Sequence, residues 1–184
     1  MIESLKILLK ELEQTREEFW NITPEAGQFL NFLIKDRKYK KVLEIGTSNG
    51  YSGIWLAEAL KQTGGHLYTI ESNKKIRYPI ALANFQKSGL TKYITPILGH
   101  APEDLPKTPL TFDMAFFDAT KKDHIRFFEV LEKRIHKGGM IVTDNIISHA
   151  EPLAPYIKAI KKNEKWFSVT LNIGAGLMLS YKVD

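Results

Sequence analysis

The chain has 184 residues, enough for one domain with a full core. Its 43% hydrophobic and 26% charged residues are ordinary for a globular protein, and no apolar run reaches the roughly 18 residues of a membrane span. There is no cysteine, which excludes disulfides, thiolate metal sites and a cysteine nucleophile. The formal charge of +5 permits a polyanionic partner such as RNA without requiring one. Residues Met1 to Lys6 lack the pattern of a secretory signal, so the cytoplasm is the expected compartment.

A helix is expected over residues 2–19, where Ile2, Leu5, Leu8, Leu9 and Leu12 recur at helical spacing. A second begins with Thr23 as N-cap and Pro24 in its first turn, burying Ala26, Phe29, Leu30, Phe32 and Leu33. These N-terminal helices occupy residues 1–36 and the core of the same domain occupies 40–184. Val42, Leu43 and Ile45 read as a buried strand. Three glycines follow within eight residues, Gly46, Gly50 and Gly53, and then a helix through Leu60. Such a helix start would present free N–H groups to a ligand. After the Thr63-Gly64-Gly65 turn, His66 to Glu71 is the second strand. Residues 72–88 read as a helix kinked at Pro79 and stopped by Gly89. Tyr93 to Leu98 is the third strand, and its Pro96 argues for a sheet edge.

Phe112 to Asp118 is the fourth strand. A helix over residues 122–136 is expected to close at Gly138-Gly139, before a fifth strand from Met140 to Asp144. A helix over 153–165 precedes two strands, 166–172 and 177–181, whose short connection forces them antiparallel. Two helices, then βαβαβ, then βαβα and a hairpin describe an α/β protein with a Rossmann-like, doubly wound, seven-stranded sheet and an antiparallel C-terminal hairpin strand. Ligands of such sheets bind beyond the carboxyl ends of the strands. Glu44, Glu71, Asp118 and Asp144 sit at or near four of those ends. Carboxylates gathered at one rim repel one another unless something cationic lies among them.

Three readings compete for the glycine loop. A dinucleotide fingerprint needs Gly-x-Gly-x-x-Gly, and the spacing here differs. A hydrolase elbow needs Gly-x-Ser-x-Gly, which Gly46-Thr47-Ser48-Asn49-Gly50 satisfies, with Asp118 or Asp144 and then His149 in the hydrolase order. That pattern is five loosely specified letters, and its strand comes early in the sheet. An S-adenosylmethionine (SAM) loop needs an acid at its own strand (Glu44) and another at the end of the next (Glu71), and both are present. Glu71 could accept both ribose hydroxyls of a nucleoside. Asp118, Asp144 and Asn145 offer three hard oxygen ligands of the kind Mg²⁺ takes.

Six stretches, in order, resemble the metal-dependent class I O-methyltransferases, the family of catechol and caffeoyl-CoA O-methyltransferases. They are Pro24-Glu25-Ala26-Gly27, Val42 to Ser52, Thr69-Ile70-Glu71, Phe117 to Lys121, Thr143-Asp144-Asn145 and Ile173 to Leu177, and the likeness covers about residues 20–182. The resemblance implies that Glu44, Gly46 and Ser52 line the methionine end of SAM, with the backbone near Ile22. It implies Glu71 on the ribose, His100 and Ala101 beside the adenine, and Asp118 also in the donor's surroundings. Asp118, Asp144 and Asn145 would hold Mg²⁺, or Mn²⁺ or Ca²⁺, and Lys121 would be the general base. A chelated diol loses its proton more readily, and lysine can receive it.

The sequence departs from the family between Asn145 and the last helix, where only Ile146 to Pro152 stand in place of a longer loop. Ala175 also replaces an aspartate found in many relatives, and the N-terminal segment is short. The expected acceptor is therefore a catechol-like small-molecule hydroxyl rather than a coenzyme A thioester. The alternative acceptor is tRNA 5-hydroxyuridine; a non-catalytic SAM-binding protein stands further off, since it would need neither Lys121 nor the metal set. A homodimer through residues 2–20 and no membrane partner complete the expectations.

Overall fold

The computed structural model of the chain describes residues 1–105 and 110–184. Five strands run parallel: β1 (Lys41–Ile45), β2 (His66–Glu71), β3 (Ile94–Leu98), β4 (Phe112–Phe117) and β5 (Ile135–Thr143). β6 (Trp166–Leu171) and β7 (Leu177–Lys182) form the expected antiparallel hairpin, and β7 pairs with β5. The order across the seven-stranded sheet is β3-β2-β1-β4-β5-β7-β6. The chain leaves β1 in one direction and returns at β4 on its other side, so the sheet reverses between those two strands. That reversal puts a crevice beyond their carboxyl ends. Pro96 lies on β3, an edge strand as its missing N–H requires.

Helices cover both faces. α1 (Glu3–Glu13), α3 (Pro24–Arg37), α4 (Tyr51–Thr63) and α5 (Arg77–Ser88) pack one core that includes Leu9, Leu30, Leu56, Phe85, Val42 and Phe116. α6 (His124–Leu131) and α7 (Ala150–Lys162) pack the other with Leu43, Ile45, Phe117, Phe128 and Tyr156. Neighbouring residues on β1 thus serve opposite faces, as the strand's two-residue period demands. No helix among the described residues is long and apolar enough to cross a membrane.

Four boundaries differ from the sequence reading. The helix over residues 2–19 is two helices, α1 and a single turn, α2 (Arg16–Phe19). The Thr15 hydroxyl and the Asn21 side-chain amide both donate to the Leu12 carbonyl and take over the end of α1. The 72–88 helix starts only at Arg77, because the Asn73 side chain accepts the amides of Ile76 and Arg77 and turns the chain there. Pro79 then falls in the first turn, where no amide donor is needed, so it need not kink the helix. The helix before β5 ends at Leu131, and β5 begins at Ile135. Gly138-Gly139 therefore interrupts a strand, at a shift of register against β4, instead of closing a helix. Finally, α7 spans 150–162 rather than 153–165, with Pro152 again in its first turn.

α1 spends Leu5, Leu8, Leu9 and Leu12 on the chain's own core, leaving Ile7, and Ile2 just before the helix, exposed.

Candidate active site

A cavity of about 560 Å³ opens at the carboxyl ends of β1, β2, β4 and β5, within the range of small-molecule sites. Its wall includes Ile22, Gly46, Glu71, His100, Ala101, Asp118, Lys121, Asp144 and Asn145. Nine of the eleven residues singled out in the sequence thus meet around one space. The other two, Glu44 and Ser52, lie behind the wall.

Gly46 follows β1 with φ +104°, and a Cβ there would stand 2.5 Å from the carbonyl oxygen of Asp118. Only glycine lets the loops after β1 and β4 approach this closely. The loop then lays the Ser48 amide on Glu71 Oε2 at 2.8 Å, while the Asn73 amide donates to Oε1 at 2.8 Å. Both carboxylate oxygens are held by backbone donors, and each retains a lone pair for a ligand. The Ser48 hydroxyl donates to the Phe19 carbonyl oxygen at 2.7 Å. No histidine among the described residues bonds that hydroxyl, so Ser48 has no base of the kind a nucleophile elbow needs. The first turn of α4 is not part of the wall; the Asn49 side chain already accepts the Tyr51 amide.

Glu44 is fully buried. It accepts hydrogen bonds at 2.6 Å from the Ser52 hydroxyl and at 2.6 Å from the Thr69 hydroxyl. Burial pushes its carboxyl up to about 7 against the pull of those two donors. It braces the floor beneath the glycine loop and is not exposed to the cavity.

On the β4–β5 side the electrostatics change. Asp118 follows β4, and Nζ of Lys121, the first residue of a short 3₁₀ turn, lies 2.9 Å from its Oδ1. Asp144 follows β5 and is 4% exposed. Burial, and then the nearby Asp118 carboxylate, push its carboxyl up to about 7. Burial also raises Asp118, while Lys121 and His149 pull it down. Asp144 Oδ1 is buried with no hydrogen-bond partner, and such an atom costs about 1–3 kcal/mol or more. Asn145 holds a left-handed backbone, φ +66°, which asparagine tolerates. The loop after it is tied to the β6–β7 turn, where the amides of Ile147 and Ser148 donate to the Ala175 carbonyl.

Among the described residues no three His, Cys, Asp or Glu side chains gather in a metal-holding group. Here the third oxygen donor would be the amide of Asn145. Two carboxylates with raised affinity for protons, one of them with an orphaned oxygen, still suit a hard divalent cation, because the cation would remove both the repulsion and the orphan.

Sequence reasoning did not bring Arg16, Trp20 or Arg77 to this wall, nor Ser48 as a backbone donor. The Arg77 guanidinium stands 4.5 Å from the centre of the Trp20 ring, which is 71% exposed at the cavity mouth.

Known proteins resemble this chain in sequence and in fold. A catechol O-methyltransferase from Niastella koreensis is 34% identical over 137 residues, 72% of this chain and 61% of the relative. The chain thus spans about three fifths of that relative's length. A caffeoyl-CoA O-methyltransferase 2 from Populus trichocarpa is 32% identical over 170 residues, 86% of this chain and 68% of the relative. Among solved structures, the O-methyltransferase TomG from Streptomyces achromogenes, in complex with SAM, superposes with a TM-score of 0.82 at 25% identity, covering 100% of this chain and 91% of that one. An O-methyltransferase from Bacillus cereus, in complex with SAH, shares the fold with a TM-score of 0.83 at 24% identity, covering 99% and 91%. The family model described as O-methyltransferase matches from residue 2 to residue 183, and with these relatives it establishes that the chain belongs to the O-methyltransferase family.

Proposed function

We propose that the protein is a SAM-dependent, divalent-metal-dependent O-methyltransferase whose acceptor is a catechol-like vicinal diol. The observation that carries this reading is the orphaned Asp144 Oδ1, buried within electrostatic reach of Asp118 in the same cavity as Glu71. Glu71 and Asp144 sit at the ends of β2 and β5, with β1 and β4 between them. Three strand intervals are roughly 14 Å, which leaves room for a nucleoside at one side and a small acceptor at the other. The SAM-bound TomG structure supports the donor assignment.

In this reading Glu71 accepts the ribose hydroxyls, and Gly46 lets the donor's methionine end pass close to the backbone. Ile22, His100 and Ala101 border the rest of the donor. When bound, SAM supplies a sulfonium methyl; its S–CH₃ bond breaks with the pair going to sulfur as the acceptor's O–CH₃ bond forms. A divalent ion held by Asp118, Asp144 and Asn145 would make the diol more acidic. Lys121 Nζ, beside Asp118, would take the hydroxyl proton as the neutral amine. The protein's contribution is then mainly to hold both reactants in line. Glu44 and Ser52 act from behind, by fixing the loop.

The test is methyl transfer from labelled SAM to catechol, with Mg²⁺ and with EDTA. Turnover that EDTA abolishes and Mg²⁺ restores is the expected result. Undiminished turnover in EDTA would overturn the metal assignment, and no binding of SAM at millimolar concentration would overturn the donor site. We also propose a homodimer through the N-terminal helices, supported by the exposed Ile2 and Ile7; a monomeric mass in light scattering would exclude it.

A further inference from the structure

Three Lys and Arg side chains lie on the cavity wall: Arg16, Arg77 and Lys121. Two of them are already engaged, one by a carboxylate and one by a ring. Lys121 pairs with Asp118, and Arg77 covers the Trp20 ring. Arg16 is different. Its Nε donates to the Asn21 carbonyl oxygen at 3.3 Å, which anchors the root of the guanidinium. That leaves four N–H donors on the terminal nitrogens. Among the described residues no carboxylate forms an ion pair with them. Glu17 also lies on the wall, but consecutive helical residues do not face each other.

Arg16 lines the same cavity as Asp118, Asp144 and Asn145. A planar cation with free paired donors, in the cavity that also holds Asp118 and Asp144, has the form that binds a carboxylate in two parallel hydrogen bonds. Trp20 stands four residues on at the same mouth, giving an apolar surface beside it.

We propose that Arg16 sets acceptor specificity by receiving a carboxylate on the acceptor, so that an acidic vicinal diol is preferred over a neutral one. This rests on the reading of the cavity as a site of diol methylation. A cationic amine on the diol would meet like charge at the same place and bind worst.

The test is calorimetric binding by the full chain loaded with SAH and Mg²⁺. The probes are 3,4-dihydroxybenzoate, catechol and dopamine, each measured with the unaltered protein and with Arg16→Gln. The acid should bind about 10-fold more tightly than catechol, the gain of one charge-assisted contact. Arg16→Gln should erase that ratio and leave the Kd for catechol within about twofold, so misfolding would be visible as lost catechol binding. Arg16→Lys should restore part of it, since lysine keeps the charge without the planar fork. An unchanged ratio in Arg16→Gln, or a wild-type preference for catechol or dopamine, would overturn the proposal. If SAH binds and catechol does not, the diol reading itself fails, and the Arg16 assignment falls with it.

Discussion

At the β2 side of the cavity the polar groups are already paired. Glu71 has an amide on each oxygen, the Ser48 hydroxyl is spent on Phe19, and Glu44 below is gripped by Ser52 and Thr69. At the β4–β5 side two carboxylates crowd one another, and one oxygen has no partner at all. The first side is a cradle whose geometry the protein maintains by itself. The second is left electrostatically incomplete, which is where a site is expected to depart from the rules that stabilise the rest. The difference teaches that ligand contacts at the two sides have different origins: preorganisation at one, relief of unfavourable charge at the other.

Substitutions can break this contrast. The largest effect is expected from Asp144→Ala, which should lower methyl transfer to catechol by about 1000-fold or more, while SAM affinity in calorimetry stays within a few-fold. A parallel loss of SAM binding would show that the two sides are one. Next comes Gly46→Ala, which forces a Cβ against the Asp118 carbonyl at positive φ. It should cost roughly 2–4 kcal/mol in urea unfolding and damage both sides together, because this contact joins them. Glu71→Ala should weaken SAM about 100-fold, the loss of two hydrogen bonds to a charged group, with little change in Mg²⁺ binding by the donor-free protein.

A further effect concerns pH. Glu44 has a folded-state pKa of about 7 against an ordinary 4.5. The folded protein therefore holds this proton more tightly than the unfolded chain does. The resulting stability is full below pH 4.5 and is lost as pH rises to 7, with a slope of at most about 1.4 kcal/mol per pH unit. Glu44→Gln should flatten that part of the stability profile in chemical unfolding. An unchanged slope would mean that the carboxylate is solvated, and that the β2 side is less closed than its hydrogen bonds imply.

Much of this contrast could be read from the sequence. The β1 run, its glycines and the acids near four strand ends required only strand periodicity and the tendency of parallel sheets to bind ligands at one edge. Pro96 marked an edge strand for a reason that is purely local. What escaped was decided by contacts distant in sequence. Nothing near Gln14 forbids a helix; α1 stops because Asn21, nine residues from Leu12, reaches back to it. Residues 132–136 read as a helix tail because of Gly138-Gly139, but pairing with β4 draws Ile135 into the sheet. Arg16 carries no signal of its own in the sequence; it reaches the cavity from α2, after the break that ends α1. The unpaired state of Asp144 Oδ1 has no sequence signature, since it depends on what fails to approach it.

One hydrogen bond has a kinetic consequence. The Ser48 hydroxyl reaches from the glycine loop to the carbonyl of Phe19, the last residue of the helical turn that begins with Arg16. The segment that would receive the acceptor therefore hangs from the loop that would receive the donor. Occupying that loop should steady the hanging segment, and emptying it should let the segment move. Turnover is then expected to follow a compulsory sequence, with SAM first on and the demethylated product last off. Ser48→Ala should relax this toward random addition, which product-inhibition patterns would distinguish.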